Sequence, residues 1–154
     1  MAADIQRSVK VAGFVLPVRD GRLLLARHSY GPPVWAMVGG MAEAGETPDA
    51  AARREALEEC GLTVSTDSLR AVCDLGHLLL FVYSSRVLDG EGSPQDAEIA
   101  ELRWFRPGEL DGEASYDVIR RLWPPASAPA GGTAGLTRQD VGWPDGAMYP
   151  VFAG

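Results

Sequence analysis

The sequence predicts an α+β fold, and three observations carry that expectation: several short apolar runs of strand type, an Asp-Gly hairpin turn near the start, and one helix with clear start and stop signals. Residues 9–18 read as a strand, and Arg19-Asp20-Gly21-Arg22 supplies the turn into a second strand at 23–26. These two form an antiparallel pair. Residues 29–33 read as a loop on their Gly and Pro content, and 34–38 as a third short strand running into Gly39-Gly40. Thr47-Pro48-Asp49 is a helix start, with a hydroxyl at the N-cap, proline at the first helical position and a carboxylate in the first turn. Gly61 is the matching stop, and the residues between are mostly Ala, Arg, Glu and Leu, which favour helix.

Beyond the helix, residues 63–72 read as one strand or a pair of short ones, and 77–87 as a long strand rich in Leu, Phe, Val and Tyr. Residues 89–95 form a turn-rich loop, 101–105 another strand, 107–110 a short helix and 115–123 a last helix. Helices are interspersed among strands without regular β-α-β winding, and no internal repeat is visible. From residue 124 onward the composition shifts to Pro, Ala and Gly, which divides the chain into a domain at 1–123 and a tail at 124–154. Trp143, Tyr149 and Phe152 carry too much apolar surface for a solvated tail. The tail is therefore expected to fold back on its own domain or to dock on a second copy in a homodimer.

The 154 residues, 46% hydrophobic and 23% charged, are the balance of one globular domain with a real core. No window reaches the roughly 18 apolar residues of a membrane span, so no membrane association and a cytoplasmic location are the expectation. Cys60 and Cys73 are too few for a disulfide framework and stand in no Cys-x-x-Cys or Cys/His cluster, so both read as small core residues. A net charge of −7 argues against stable, sequence-independent binding to nucleic acid. Phosphate substrates remain open to an acidic protein, because divalent cations can stand between its carboxylates and phosphate oxygens.

On the helix, Arg54, Glu55, Glu58 and Glu59 fall within an arc of roughly 140°, so three carboxylates and a guanidinium share one face. Ala51 and Ala52 lie in or beside that arc and leave room for a ligand. Like charges at these spacings repel, Arg54 compensates only part of the repulsion, and metal ions would remove it. A solvated acidic helix face is the plain alternative. Against it stand the glycines: Gly39-Gly40 and Gly45-Glu46 build a tight loop before the helix, where main-chain carbonyls can reach a metal and Glu46 adds a fourth carboxylate.

The pattern Gly40-x5-Glu46-x7-Arg54-Glu55-Ala56-x-Glu58-Glu59-x-Gly61-Leu62 resembles the signature box of the Nudix hydrolase family. The flanks are similar too: Leu23-Leu24-Leu25 and Trp35 before the box, and the stretch from Glu98 to Phe105 after it. Two positions depart. Val38 stands where family members usually have proline, and Ala56 where the apolar box residue is commonly bulky.

The resemblance implies an α/β/α sandwich with a mixed sheet, and an enzyme that cuts a diphosphate linkage in a nucleotide-derived small molecule with Mg²⁺ or Mn²⁺. It implies that Glu55, Glu58 and Glu59 hold the metal with a main-chain carbonyl near Gly39 or Gly40, that Arg54 orients Glu55, and that Glu46 braces loop and helix. Metals neutralise the diphosphate while a carboxylate accepts a proton from water. Glu58 is the favoured acceptor, and Glu98, six residues before Trp104, is the candidate outside the box.

Trp35 is a candidate for stacking on a nucleobase and Arg27 for contacting phosphate, with core burial and plain solvation as the respective alternatives. His28 lies beside Arg27 past the strand end, where it too can contact phosphate, but it reads as solvated, and His77 reads as a satisfied structural histidine. No Ser/His/Asp or Cys/His arrangement suggests covalent catalysis. The preferred substrate is a nucleoside diphosphate linked to a sugar or another group, such as ADP-ribose. A house-cleaning nucleoside triphosphate pyrophosphohydrolase is the alternative. A nucleotide sensor that binds without cutting is disfavoured, because such domains usually lose box carboxylates and here all are present.

Overall fold

The computed structural model describes residues 8–123, 137–144 and 147–153. In chain order the elements are β1 (Lys10–Arg19), β2 (Arg22–His28), β3 (Val38–Met41), α1 (Pro48–Cys60), β4 (Thr63–Val64), β5 (Ser68–Asp74), β6 (Leu78–Asp89), β7 (Ile99–Phe105), α2 (Asp117–Leu122), β8 (Thr137–Gly142) and β9 (Met148–Ala153). The strands join in the order β7-β2-β1-β6-β5-β9-β8, with β3 added to β1 and β4 to β6. The β1–β6 pair is parallel and its neighbours are antiparallel, so the sheet is mixed.

The first hairpin forms as expected. Val18 faces Leu23 and Arg19 faces Arg22, which leaves Asp20 and Gly21 as a two-residue loop with φ of 51° and 70°. Two positive φ values are what this tight turn demands, and Asp and Gly are residues that adopt them.

Strand periodicity then sorts side chains between the two faces of the sheet. Leu23 and Leu25 enter one cluster, with Ala12, Leu16, Ala71, Phe105 and the α2 residues Val118, Ile119 and Leu122. Leu24 and Ala26 enter the other, with Val15, Val38 and the α1 residues Ala52, Ala56 and Cys60. A run of three leucines is thus buried on both faces, because successive side chains point to opposite sides of the pleat and helices cover both. The result is the α/β/α sandwich. Cys60 and Cys73 are fully buried, and burial pushes both thiols up to about 12.

Five local expectations are corrected. The third strand forms at Val38–Met41 and takes in the double glycine, which pairs with Gly13 and Phe14 of β1, whereas Trp35 and Ala36 make only isolated bridges. Residues 107–110 make turns instead of a helix, and Gly108 there takes a φ of 88°, which a right-handed helix does not accommodate. The last helix is shorter, at Asp117–Leu122, and Thr47 takes N-cap backbone geometry without a side-chain capping bond. His77 is exposed at the turn between β5 and β6.

The aromatic-bearing tail extends the sheet of its own chain. Strand β9 pairs with β5, setting Val72 opposite Phe152, and β8 pairs with β9. Val141 and Val151 are buried in the α2-side cluster. Residues 124–136 and the side chain of Phe152 lie outside the described residues.

Candidate functional site

Helix α1 packs on β1 and β3, with Ala51, Ala52, Ala56 and Cys60 against the sheet. Gly61 ends it in the left-handed conformation, at φ 66°, with capping N–H groups donating to the carbonyls of Ala56 and Leu57. The charged arc therefore projects at one end of the sheet. Arg54 is its hub. Its Nε and Nη2 donate to Glu46 Oε1 and Oε2 at 2.9 and 3.0 Å, a two-point grip across the loop, and Nη2 also reaches the Met41 carbonyl at 3.0 Å. Its Nη1 donates to Glu55 Oε1 at 3.0 Å and to Glu58 Oε2 at 3.1 Å.

This arrangement polarises the carboxylates unevenly. The Arg54 guanidinium holds the Glu46 carboxyl below its ordinary range, and Arg54 in turn is raised. Glu55 is raised, chiefly because burial withdraws it from water and only secondarily because Glu59 and Glu58 lie close, with Arg54 opposing both. Gly40 lets it sit there: a Cβ on Gly40 would lie 2.6 Å from Glu55 Oε1. Glu59 is 6% exposed, and its Oε2 has no hydrogen-bond partner among the described residues.

His28 faces Glu59. Its Nε2 is 3.8 Å from Glu59 Oε1, beyond a hydrogen bond but within ion-pair reach, and that carboxylate raises the imidazole pKa against burial, which lowers it. Strand parity would have found this residue. His28 falls on the same side of β2 as Leu24 and Ala26, which face α1, and β2 runs on through His28 instead of ending before it.

A cleft of about 490 Å³ opens over this end of the sheet. Glu55, Glu59, Glu98, His28 and Gly40 line it on the charged side, and Phe14, Leu75, Leu78, Tyr116 and Trp143 on the apolar side. Glu98 is exposed and enters from the loop before β7, where its carbonyl accepts from the Ser29 N–H at 2.8 Å. Glu58 lies outside the lining, with its side chain 56% exposed.

The two residues expected to touch substrate outside the box are placed elsewhere. Trp35 is 3% exposed, packs edge-on against Phe105 at 5.0 Å, and points its Nε1 at Glu113 Oε2 at 3.3 Å. It is a core residue, so it offers no face to a base. Arg27, on the same side of β2 as Leu23 and Leu25, forms an ion pair with Glu101 and lies over the Trp35 ring at 5.2 Å. It does not line the cleft.

Oxygen donors suit a hard divalent cation, and the orphaned Glu59 oxygen and the burial of Glu55 are the conflicts such an ion would relieve. Among the described residues no three His, Cys, Asp or Glu side chains converge as a metal-binding group. Arg54 draws Glu46, Glu55 and Glu58 toward itself.

Known proteins align with this picture. An oxidized purine nucleoside triphosphate hydrolase of Danio rerio is 36% identical over 104 residues, which are 62% of this chain and 65% of that protein. Its counterpart in Mus musculus is 34% identical, over 71% of this chain and 70% of that one. An NAD-capped RNA hydrolase NudC of Stutzerimonas stutzeri is 33% identical over 70% of this chain but only 40% of its own length. Of these three relatives, the chain thus spans less than two thirds of the zebrafish and Stutzerimonas proteins.

Among solved structures, a NUDIX hydrolase from Nitrosomonas europaea superposes with a TM-score of 0.62 at 28% identity, covering 66% of this chain and 60% of that one. A UDP-X diphosphatase superposes at 0.57 and 27% identity, covering 70% of this chain and 54% of that one. Residues 7–123 match the NUDIX domain model, the carboxylate helix falls within them, and its Glu55 and Glu59 line the cleft. This chain belongs to the NUDIX domain family.

Proposed function

We propose that the protein is a divalent-metal-dependent hydrolase that cuts a phosphoanhydride bond in a nucleotide, with a nucleoside triphosphate as the first substrate class. Water adds at phosphorus, and the products are a nucleoside monophosphate and diphosphate. One observation carries the reading: a carboxylate helix, clamped by Arg54, borders a cleft whose remaining wall is apolar and aromatic. The relatives named as oxidized purine nucleoside triphosphate hydrolases support the triphosphate class.

The oxygen chemistry of the donors suits Mg²⁺ or Mn²⁺, and Glu55, Glu59 and the Gly40 carbonyl would hold it, joined by Glu58 once that carboxylate turns from Arg54. When bound, such an ion neutralises phosphate charge and acidifies water. The chain's own residues do the rest. Arg54 sets the Glu55 carboxylate and, through Glu46, ties the loop to the helix. Of the two proton acceptors that the sequence offers, Glu98 lines the cleft and Glu58 does not, so Glu98 is the better placed.

A second reading, a nucleoside diphosphate linked to another group, is supported by the likeness to the UDP-X diphosphatase and to NudC. In that case water yields a nucleoside monophosphate and the phosphorylated second group. A panel of both substrate classes, assayed with Mg²⁺, with Mn²⁺ and with chelator, separates the two by product. Diphosphate release identifies the triphosphate class, and turnover is expected to vanish with chelator and return with either metal. Full turnover in excess chelator overturns the metal mechanism, and nucleotide binding without turnover under every condition overturns the hydrolase in favour of a sensor.

A further inference from the structure

We propose that the Tyr116–Trp143 ring pair is the surface that selects the organic group of the substrate, and that it takes a nucleobase by stacking. The inference rests on the reading that the carboxylate end acts on a nucleotide. It starts from how the cleft is divided. Glu55 and Glu59 come from α1, which covers one face of the sheet, whereas Tyr116, Trp143, Leu75 and Leu78 pack against the cluster on the other face. A ligand that touches both sets has an anionic end and an apolar end, as a nucleotide does.

The rings are held in place. Tyr116 and Trp143 have centroids 4.9 Å apart and planes tilted by 57°, and Tyr149 meets Trp143 edge-on at 5.8 Å and 84°. The Trp143 main-chain N–H donates to the Ala147 carbonyl at 2.9 Å, which ties the end of β8 to the start of β9. Val141, two residues before Trp143, is fully buried, and Val151 anchors the returning strand. A rigid indole at a cleft wall presents a large flat face at little entropic cost.

Recognition here works by shape. Among the described residues, and apart from the carboxylates and His28, the side chains with hydrogen-bonding groups in the lining are Tyr30, Tyr116 and Trp143. Stacking on such a wall tolerates different bases, because every base has a π face. Of the pair, Tyr116 lies within the residues that match the family domain, which end at 123, and Trp143 lies beyond them. The C-terminal hairpin therefore adds a specificity element to a reaction site built from the domain itself.

The test compares Trp143→Ala, Trp143→Leu and Trp143→Phe with the wild type in the full chain. Binding of AMP, GMP and UMP is measured by calorimetry beside ribose 5-phosphate, which has no base. Losing one base–aromatic stack weakens binding by about 5- to 150-fold. The expected result is a loss in that range for all three nucleotides in the Ala and Leu variants, recovery in the Phe variant, and no change for ribose 5-phosphate. With a substrate that the wild type turns over, KM should rise by the same factor while kcat stays within about twofold.

Trp143→Leu keeps most of the buried volume, so it decides the matter if Trp143→Ala fails to fold. Nucleotide affinity equal to wild type in the Leu variant overturns the proposal, as does an equal loss for ribose 5-phosphate or nucleotides that bind no tighter than ribose 5-phosphate. Base-dependent binding through Trp143 without any turnover would sink the hydrolase reading and leave the stacking wall standing.

Discussion

The two ends of the cleft are built in opposite ways. The charged end comes almost entirely from one segment: Glu46, Arg54, Glu55, Glu58 and Glu59 lie within fourteen consecutive positions, and helical spacing alone puts four of them on one face. The aromatic end is assembled from positions far apart in the chain, Phe14 on β1, Leu75 after β5, Tyr116 before α2 and Trp143 after β8, and exists only once the strands have paired. Their energetics differ in the same sense. At the charged end Glu59 keeps a buried oxygen unpartnered and Glu55 is raised by burial, while at the other end Val141 and Val151 complete an apolar cluster. Unrelieved conflict is where a reaction site is expected, and apolar closure is what stabilises the fold. Activity and stability should therefore separate along the cleft.

Glu59→Gln breaks that contrast most sharply if it is wrong. The substitution keeps the shape of a side chain that is 8% exposed and removes its charge. A fall in kcat of about 100- to 1000-fold is expected, the range for losing a preorganised electrostatic group. Stability in urea should hold or rise, because a buried charge with an unpartnered oxygen has been removed. Near-normal kcat would mean that the carboxylate helix is not the reaction site.

At the far end the signs reverse. Val151 is 2% exposed in the α2-side cluster, opposite Cys73 of β5. Val151→Ala should lower the unfolding free energy by about 1.5–3 kcal/mol, from lost burial and the cavity left behind, with kcat nearly unchanged. Chemical denaturation with a parallel assay reads both quantities. An unaltered midpoint would detach the C-terminal strands from the core.

The same contrast explains what was legible in the sequence. The box, the helix from Pro48 to Gly61 and the Asp20-Gly21 hairpin are short-range patterns, each enforced by the chemistry of neighbouring residues, and each is found in the structure. Trp35 and Trp143 show the limit. Both are tryptophans near strand ends, and nothing local tells which one meets a ligand; the pairing of β5 with β9 brings Trp143 to the cleft, while Phe105 and Glu113 enclose Trp35. His28 lies between these cases, because the parity of β2 points it toward α1 although its partner Glu59 is 31 positions away. The turns at 107–110 were not legible because a proline followed by helix-compatible residues also suits a helix start, and only the structure shows Gly108 turning the chain at φ 88°.

The smallest expected effect concerns the clamp that joins the charged end to its loop. Glu46 accepts two hydrogen bonds from Arg54 and one from the Glu43 N–H at 2.9 Å, and its carboxyl is held below the ordinary value of 4.5. A carboxyl depressed in the folded state contributes stability that is present above its unfolded pKa and is lost as pH falls through the folded one. Glu55 works in the opposite direction, because a raised carboxyl binds its proton more readily in the folded state and so favours folding as pH drops. The total pH profile therefore mixes both signs, and only a difference isolates the clamp. The gap in urea midpoint between wild type and Glu46→Gln should stay constant above about pH 6 and shrink progressively below 4.5, as protonation makes the wild-type carboxyl resemble the amide. A gap that holds its size down to about pH 3 would show that the contribution of Glu46 does not depend on its charge. The loop would then be braced by shape and neutral hydrogen bonding, and Arg54 would be left with Glu55 and Glu58 as its ionic partners.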